Sequence, residues 1–340
     1  MVSLLSTDGG VILLVAIALL FDATNGFHDA ANAIATVVAT RALSLRRALV
    51  VAAIANFGGA FLSTRVAVTL EQGILDSRQL GSHWLGVIGA ALAGAMLWNL
   101  LTWYWGLPSS SSHALIGGLV GGAAAQGLTE AVAWPQLVQR VLIPMVVSPL
   151  LAIGVGMLFV ALVEQWLHRW GNVPEDRWQR LQIMSGTLMA VAHGANDAQK
   201  TMGVITLALV SVGQLSLEAG IPLWVMASCA LAIAIGTYGG GDRIIHTTGE
   251  KITALDPISG CIANLSAALT VAAASLAGVP VSTTQVVVGA ITGAGYGRHP
   301  ERGIHWQTWG RILVAWALTV PGAALMAATI GGGLTALIPY

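Results

Sequence analysis

Charge is scarce in this sequence. Charged side chains make up 9% of its 340 residues, and Lys+Arg equals Asp+Glu at 15 each. So few charges cannot coat a soluble globule, and without a basic surplus there is no electrostatic footprint for nucleic acid. Cysteines number two. Cys229 and Cys261 both lie in apolar stretches, where two small buried side chains are a readier reading than a disulfide or a metal site. No His-x-x-x-His spacing occurs and no long polar stretch could house an active-site domain. A membrane enzyme using Asp29 or Asp197 with His28 or His193 as nucleophile and base is therefore disfavoured.

Apolar residues are abundant, at 56% of the chain with a mean hydropathy of +0.77. Long apolar segments recur at 11–21, 48–62, 84–107, 137–162, 181–191, 201–212, 221–236, 261–279 and 312–330. Several can cross ~30 Å of hydrocarbon as helices, so the fold class is an all-α polytopic membrane protein with lipid around it. The first run has no basic flank and no small-residue cleavage site, and is expected to be a retained helix rather than a signal peptide.

The chain repeats itself. "GFHDAANAIATVV" and "GANDAQKTMGVIT" align with Asp29 on Asp197, an offset of 168. "PSSSSHALIGGLVGG" from Pro108 and "PVSTTQVVVGAITGA" from Pro280 align at an offset of 172. Two pairs in the same order argue for a duplication. The expected organisation is a first repeat at 1–164 (Asp segment 22–40, hairpin 108–128), a solvated charged linker at 165–180, and a second repeat at 181–340 (Asp segment 192–211, hairpin 280–297). Arg41, Arg46 and Arg47 follow the first Asp segment, whereas 212–220 has no Lys or Arg; Arg298, Arg302 and Arg311 follow the second hydroxyl segment, against Arg140 near the first. Equivalent loops of opposite charge bias lie on opposite sides of the membrane, which predicts inverted repeats. Counting each segment as one crossing gives an even number per half, so inversion requires one segment that does not span, or a further crossing near 64–80.

On a helix Asn25, Asp29 and Asn32 share one face, and His193, Asp197 and Lys200 share the equivalent one. A charge in mid-bilayer costs at least ~2.5–3.5 kcal/mol on insertion scales and so should meet a cavity, a partner or an ion. Carboxylate and amide oxygens suit a small hard cation such as Na+, and Gly26 and Gly194 predict a helix break just before each Asp. In the other pair of segments Pro108 and Pro280 suit a first helical turn. The hydroxyls at 109–112 and 282–284 would then join free backbone N–H groups at a helix N-terminus, an arrangement that binds anions. Taken alone, such a serine run reads as a helix cap or an interhelical hydrogen-bond row. The glycines at 117, 118, 121, 122, 289, 293 and 295 would let short re-entrant hairpins pack closely.

These four segments, "NGFHDAANAIAT", "HGANDAQKTMGVI", "PSSSSHALIGG" and "PVSTTQVVVGA", resemble the duplicated signatures of the inorganic phosphate transporter family, PiT or Pho4, over essentially the whole chain. The resemblance implies secondary transport of phosphate by two inverted repeats with re-entrant hairpins, driven by sodium or by protons. It implies phosphate contacts from Ser110, Ser111, Ser112, Ser282, Thr283 and Thr284, with Asn32 beside them; Lys200 is expected there on its charge, not on the family pattern. A cation region of Asp29, Asp197, Asn25 and Asn196 follows, with Asp29 and Asp197 as the sodium ligands if sodium is the coupling ion. No cofactor is implied beyond that ion; a homodimer and a bacterial or archaeal plasma membrane are. The sequence departs from the family pattern at His28 and Lys200, which replace amides. Lys200 can stand in for a cation, add charge for a divalent phosphate, or simply pair with Asp197; His28 can gate or carry a proton. His113, after the first serine run, and Gln285, its match, are expected to line the site. Sodium and proton coupling stay alternatives, as do sulfate or a metal–phosphate complex as cargo and a passive anion channel as mechanism.

Overall fold

The computed structural model describes residues 7–73, 75, 77–171, 173–216 and 218–337, and among them every regular element is helical. The first half contains α1 (Thr7–Ala39), α2 (Leu45–Gly59), α3 (Arg65–Gly73), a short α4 (Ser77–Leu80), α5 (Trp84–Tyr104) and α6 (Ser111–Ala125). It closes with α7 (Trp134–Leu137), which runs through a π-helical turn into α8 (Ile143–Trp170). The second half contains α9 (Glu175–Ser211), α10 (Leu223–Gly239), α11 (Asp242–Glu250), α12 (Pro257–Leu276), α13 (Thr283–Arg298) and α14 (Trp306–Leu337). Among the described residues, α1, α5, α8, α12 and α14 are each long and apolar enough to cross a membrane. Large apolar side chains such as Leu150, Leu158, Leu231 and Leu325 face outward, and exposed Trp105, Trp134, Trp170 and Trp306 mark helix ends as interfacial anchors do.

The duplication is visible element by element. α5 ends at Tyr104 and α12 at Leu276, and α6 begins at Ser111 and α13 at Thr283, both at the offset of the hydroxyl motifs. Pro149 inside α8 and Pro321 inside α14 keep that offset. The related helices α1 and α9 cross antiparallel: Thr40 bonds Gln182, Gly186 lies on Val37, and Asp29 meets His193 and Asp197. Equivalent helices running in opposite directions are what inverted repeats require.

The halves interlock. A Cβ on Gly117 or Gly121 of α6 would strike the backbone of α14 at Val320 or Ala324, and one on Gly289 or Gly293 of α13 would strike α8 at Pro149 or Ile153. Each repeat therefore lends its last helix to the other repeat's hydroxyl helix. Gly236 of α10 abuts Ala23 of α1, and Gly59 of α2 abuts Val191 of α9, in the same exchanged sense.

Four expectations need correction. Gly26 and Gly194 do not break their helices: α1 and α9 are continuous through both Asp residues. The glycines instead admit Ile233 and Asn56 of the facing helices, whose backbones occupy the place of a Cβ. The break lies between α10 and α11, bent by 73° at Gly240–Gly241, where Gly240 has φ +73. Residues 108–128 and 280–297 each form one helix rather than a hairpin. The hairpins are α5 with α6 and α12 with α13. In the first, Gly118 lies on Ala91 and Gly122 on Val87, so the arms are antiparallel. Its tip touches Asp29 midway along α1, as a re-entrant element does, and this removes the parity problem. Pro108 and Pro280 lie before the N-caps Ser110 and Ser282, not in the first helical turn. Within 165–180, α8 runs to Trp170 and α9 starts at Glu175, so helix covers most of the expected linker; Arg169, Glu175, Asp176, Arg177 and Arg180 are exposed. Residues 1–6 and 338–340 of the expected repeats lie outside the described residues.

Candidate functional site

The two Asp-bearing helices cross at their polar faces, and both hairpin tips arrive at the crossing. Asp29 and Asp197 are buried, at 1% and 0% exposure, and together with His193 they offer ligand atoms within 4.8 Å of one another. Asp29 is fully engaged. His28 Nδ1 lies 2.6 Å from its Oδ1, Ser111 Oγ donates to Oδ2 at 2.8 Å, and Thr284 Oγ1 donates to Oδ1 at 3.2 Å. Each carboxylate oxygen thus holds a hydroxyl from a different hairpin.

The residue three positions after each Asp reaches the opposite repeat. Asn32 Nδ2 donates to Thr283 Oγ1 at 3.2 Å and to Thr284 Oγ1 at 3.0 Å. Lys200 Nζ donates to Asp197 Oδ1 at 2.8 Å, to the Val281 carbonyl at 3.3 Å, and to Ser112 Oγ. Asn32 is related to Lys200 and Ser112 to Thr284 by the two offsets, so the same cross-repeat contact is made twice. Lys200, 2% exposed, is the one Lys or Arg that is buried among the described residues. Its ammonium sits between the tips, ion-paired with only one oxygen of Asp197; Oδ2 has no hydrogen-bond partner.

The tip hydroxyls divide by role. Ser110 Oγ accepts from His113 N at 3.2 Å and Ser282 Oγ from Gln285 N at 3.3 Å, so these two are helix N-caps, the bland reading of the serine run. Ser111, Ser112, Thr283 and Thr284 form the first turns, where backbone N–H groups have no intrahelical acceptor and the dipole favours an anion. Their hydroxyls turn to the Asp helices.

The other expected residues spread outward. His28 Nε2 approaches Thr102 Oγ1 at 3.1 Å and Ser109 Oγ at 3.4 Å, which are 2.8 Å from each other, so a hydrogen-bonded chain runs from Asp29 to α5. Asn196 Nδ2 donates to Ser275 Oγ at 2.9 Å, toward α12. Asn25 Oδ1 and His113 Nδ1 are buried without partners. Gln285, also unpartnered, lines a crevice of about 250 Å³ between α8 and α14 with Pro149 and Trp309.

Sequence reasoning did not single out Thr102 and Asp22, and it gave His193, on the polar face of Asp197, and Ser109, in the hydroxyl run, no ligand role of their own. His193 Nδ1 lies 3.1 Å from Asn56 Oδ1 of α2, and its Nε2 lies 3.7 Å from Asp197 Oδ2. Its position beside Asp197 on the polar face was the available signal. Thr102 carried none, being one hydroxyl in an apolar run.

Comparison with known proteins agrees with this architecture. A model described as the phosphate transporter family matches residues 25–176 and again 168–327, one match for each half. The chain is 45% identical over 320 residues to a "Probable low-affinity inorganic phosphate transporter" of Mycobacterium tuberculosis, covering 94% of this chain and 76% of that one. Proteins of the same description from Rhizobium meliloti and Bacillus subtilis are 45% and 40% identical, over 93% of this chain in both cases and 93% and 95% of theirs. The solved structure of a sodium-dependent phosphate transporter shares the fold at a TM-score of 0.88 and 25% identity, over 97% of this chain and 100% of that one. With its two halves matched in tandem and its length shared with these transporters, the chain belongs to the phosphate transporter family.

Proposed function

We propose that this chain is a secondary active transporter of inorganic phosphate, a cation-coupled symporter working by alternating access across the plasma membrane. The observation that carries the reading is the position of Lys200, a buried ammonium poised between Ser112 of one hairpin tip and the Val281 carbonyl of the other. Phosphate entering there takes donors from Ser111, Ser112, Thr283 and Thr284, from the free N–H groups of both helix ends, from Asn32 and from Lys200. Most of these hydroxyls now bond Asp29 or its neighbours, so the protein supplies internal acceptors where the anion would sit.

The carboxylates explain the coupling. Asp29 and Asp197 repel an arriving dianion unless a cation neutralises them first. Two carboxylates and His193 converge closely enough to share one ion, and the family relationship to a sodium-dependent transporter supports sodium. The chain from Asp29 through His28 to Thr102 and Ser109 supports a proton instead. Once both charges are balanced, the loaded site changes its exposure by movement of one set of elements against the other. The carboxylates also bear on cargo: a protonated phosphate oxygen can donate to Asp29 or Asp197, whereas sulfate at neutral pH has no proton to donate.

Reconstituted into liposomes, the protein is expected to accumulate labelled phosphate when a sodium or a proton gradient is imposed and not when both are absent. The effective gradient names the ion. Excess sulfate should not compete. Equilibration without accumulation would indicate a passive anion channel, and displacement by sulfate, or dependence on a divalent metal, would reassign the cargo.

A further inference from the structure

Asp22 takes no part in the site described above, and nothing in the repeat explains it. It lies near the middle of α1, is 0% exposed, and neither carboxylate oxygen has a hydrogen-bond partner. The Thr201 hydroxyl and the Asn25 amide face it. Thr201 Oγ1 and Asn25 Oδ1 are themselves unpartnered, in residues 0% and 1% exposed. Cys229 of α10 and Asp197 and Lys200 of α9 lie within electrostatic range. A buried carboxylate, a hydroxyl and an amide oxygen, none of them within hydrogen-bond distance of a partner, thus lie together.

The repeat offset places Ala190 opposite Asp22 and Ala33 opposite Thr201, so this grouping occurs once, whereas the Asn32–Thr284 and Lys200–Ser112 contacts are a duplicated pair. An unpaired carboxylate at mid-membrane depth costs several kcal/mol and is retained where an ion or partner balances it. Lys200 already serves Asp197, and it alone cannot balance Asp22, Asp29 and Asp197 together.

We infer that Asp22, Asn25 and Thr201 form a second cation site, separate from the Asp29–His193–Asp197 cluster, that takes a monovalent hard cation of the sodium class. A carboxylate, an amide oxygen and a hydroxyl are the ligands such an ion prefers over nitrogen or sulfur donors. The site bears on transport because it adjoins Asp197 and Lys200: a cation at Asp22 lowers the negative field at the hairpin tips before phosphate arrives. That consequence rests on the phosphate-symport reading; the binding site does not.

The test is equilibrium binding of ²²Na⁺ to the purified protein in choline chloride at neutral pH, without phosphate, so that it reads occupancy whatever the cargo proves to be. The wild type is expected to bind two ions per chain. Asp22→Asn should bind one fewer, and Thr201→Val, which preserves volume while removing one ligand, should weaken one class of sites about tenfold. Asp29→Asn should remove the other ion and leave the Asp22 site occupied. A monodisperse elution profile and a retained thermal transition establish that each variant is folded. An unchanged sodium count in Asp22→Asn overturns the inference, as does a wild type that binds no sodium; either result means that a proton satisfies these oxygens. Absence of phosphate uptake in liposomes, with the sodium count behaving as stated, would overturn the transport reading and leave the site standing.

Discussion

At the scale of single residues, Ser112 and Lys200 carry the sharpest expectations. Ser112 is in the first turn of α6 and bonds the Lys200 ammonium, and a hydrogen bond to a charged group contributes about 1.5–3 kcal/mol. Ser112→Ala should raise the half-saturating phosphate concentration roughly tenfold or more, whereas Ser110→Ala, which removes a helix cap, should cost about 1 kcal/mol of stability and change phosphate affinity less. Lys200→Asn installs the residue that the other repeat has at the related position. It should weaken phosphate binding and raise the number of cations moved per phosphate, read from the reversal potential in liposomes. Away from the membrane interior, Asp256 caps α12. Burial acts to raise its pKa, but hydrogen bonds from Ser259 and the charges of Arg298 and His299 outweigh burial and hold it below the ordinary carboxylate value. Its contribution is complete above about pH 4 and is lost as pH falls through the depressed folded value. The stability gap between wild type and Asp256→Asn in detergent should therefore close on acidification. Asp29, Asp197 and Lys200 were legible in the sequence because a charge in an apolar run has few explanations. Ser110 and Ser111 were not separable there: adjacent hydroxyls take different roles only because the helix begins between them. Asp22 escaped because it ends an apolar run and has no repeat partner to draw attention to it.

At the scale of elements, the glycines decide the packing. Gly121 of α6 lies so close to Ala324 of α14 that a Cβ has no room, while Gly89 of α5 faces open space. Gly121→Ala should lower the melting temperature, with a cost of about 1–3 kcal/mol from overpacking. Gly89→Ala should be neutral or stabilising by up to ~1 kcal/mol, since alanine is the better helix former. Equal effects of the two would contradict the packing described for the hairpins. The hydroxyl segments and their order were evident from the sequence, and so was the close packing of their glycines. Which arm completes each hairpin was not, because α5 and α12 are long enough to pass as plain spans. Gly26 and Gly194 misled in an instructive way. A glycine beside an Asp in a membrane helix signals either a broken backbone or a close helix crossing, and sequence spacing does not distinguish a neighbour that has yet to arrive.

At the scale of the whole molecule, the duplication does more than double the parts. The helices α8 and α14 each seat against the hydroxyl helix of the other repeat, and α2 and α10 each seat against the other repeat's Asp helix. Neither half can complete its share of the crossing alone: Asn32 needs Thr284, and Lys200 needs Ser112. The inversion was readable from the Arg bias of equivalent loops, but the exchange of helices was not, since the offsets report which segments correspond and say nothing about which half each one packs upon. The central claim, that one phosphate is held jointly by both tips, is tested most directly by labelled-phosphate binding to purified wild type, Ser112→Ala, Thr284→Ala and the double variant. A shared site predicts that both single changes weaken binding and that the double variant departs from additivity by more than about 0.5 kcal/mol. Strictly additive losses, or an affinity unaltered by either change, would contradict it.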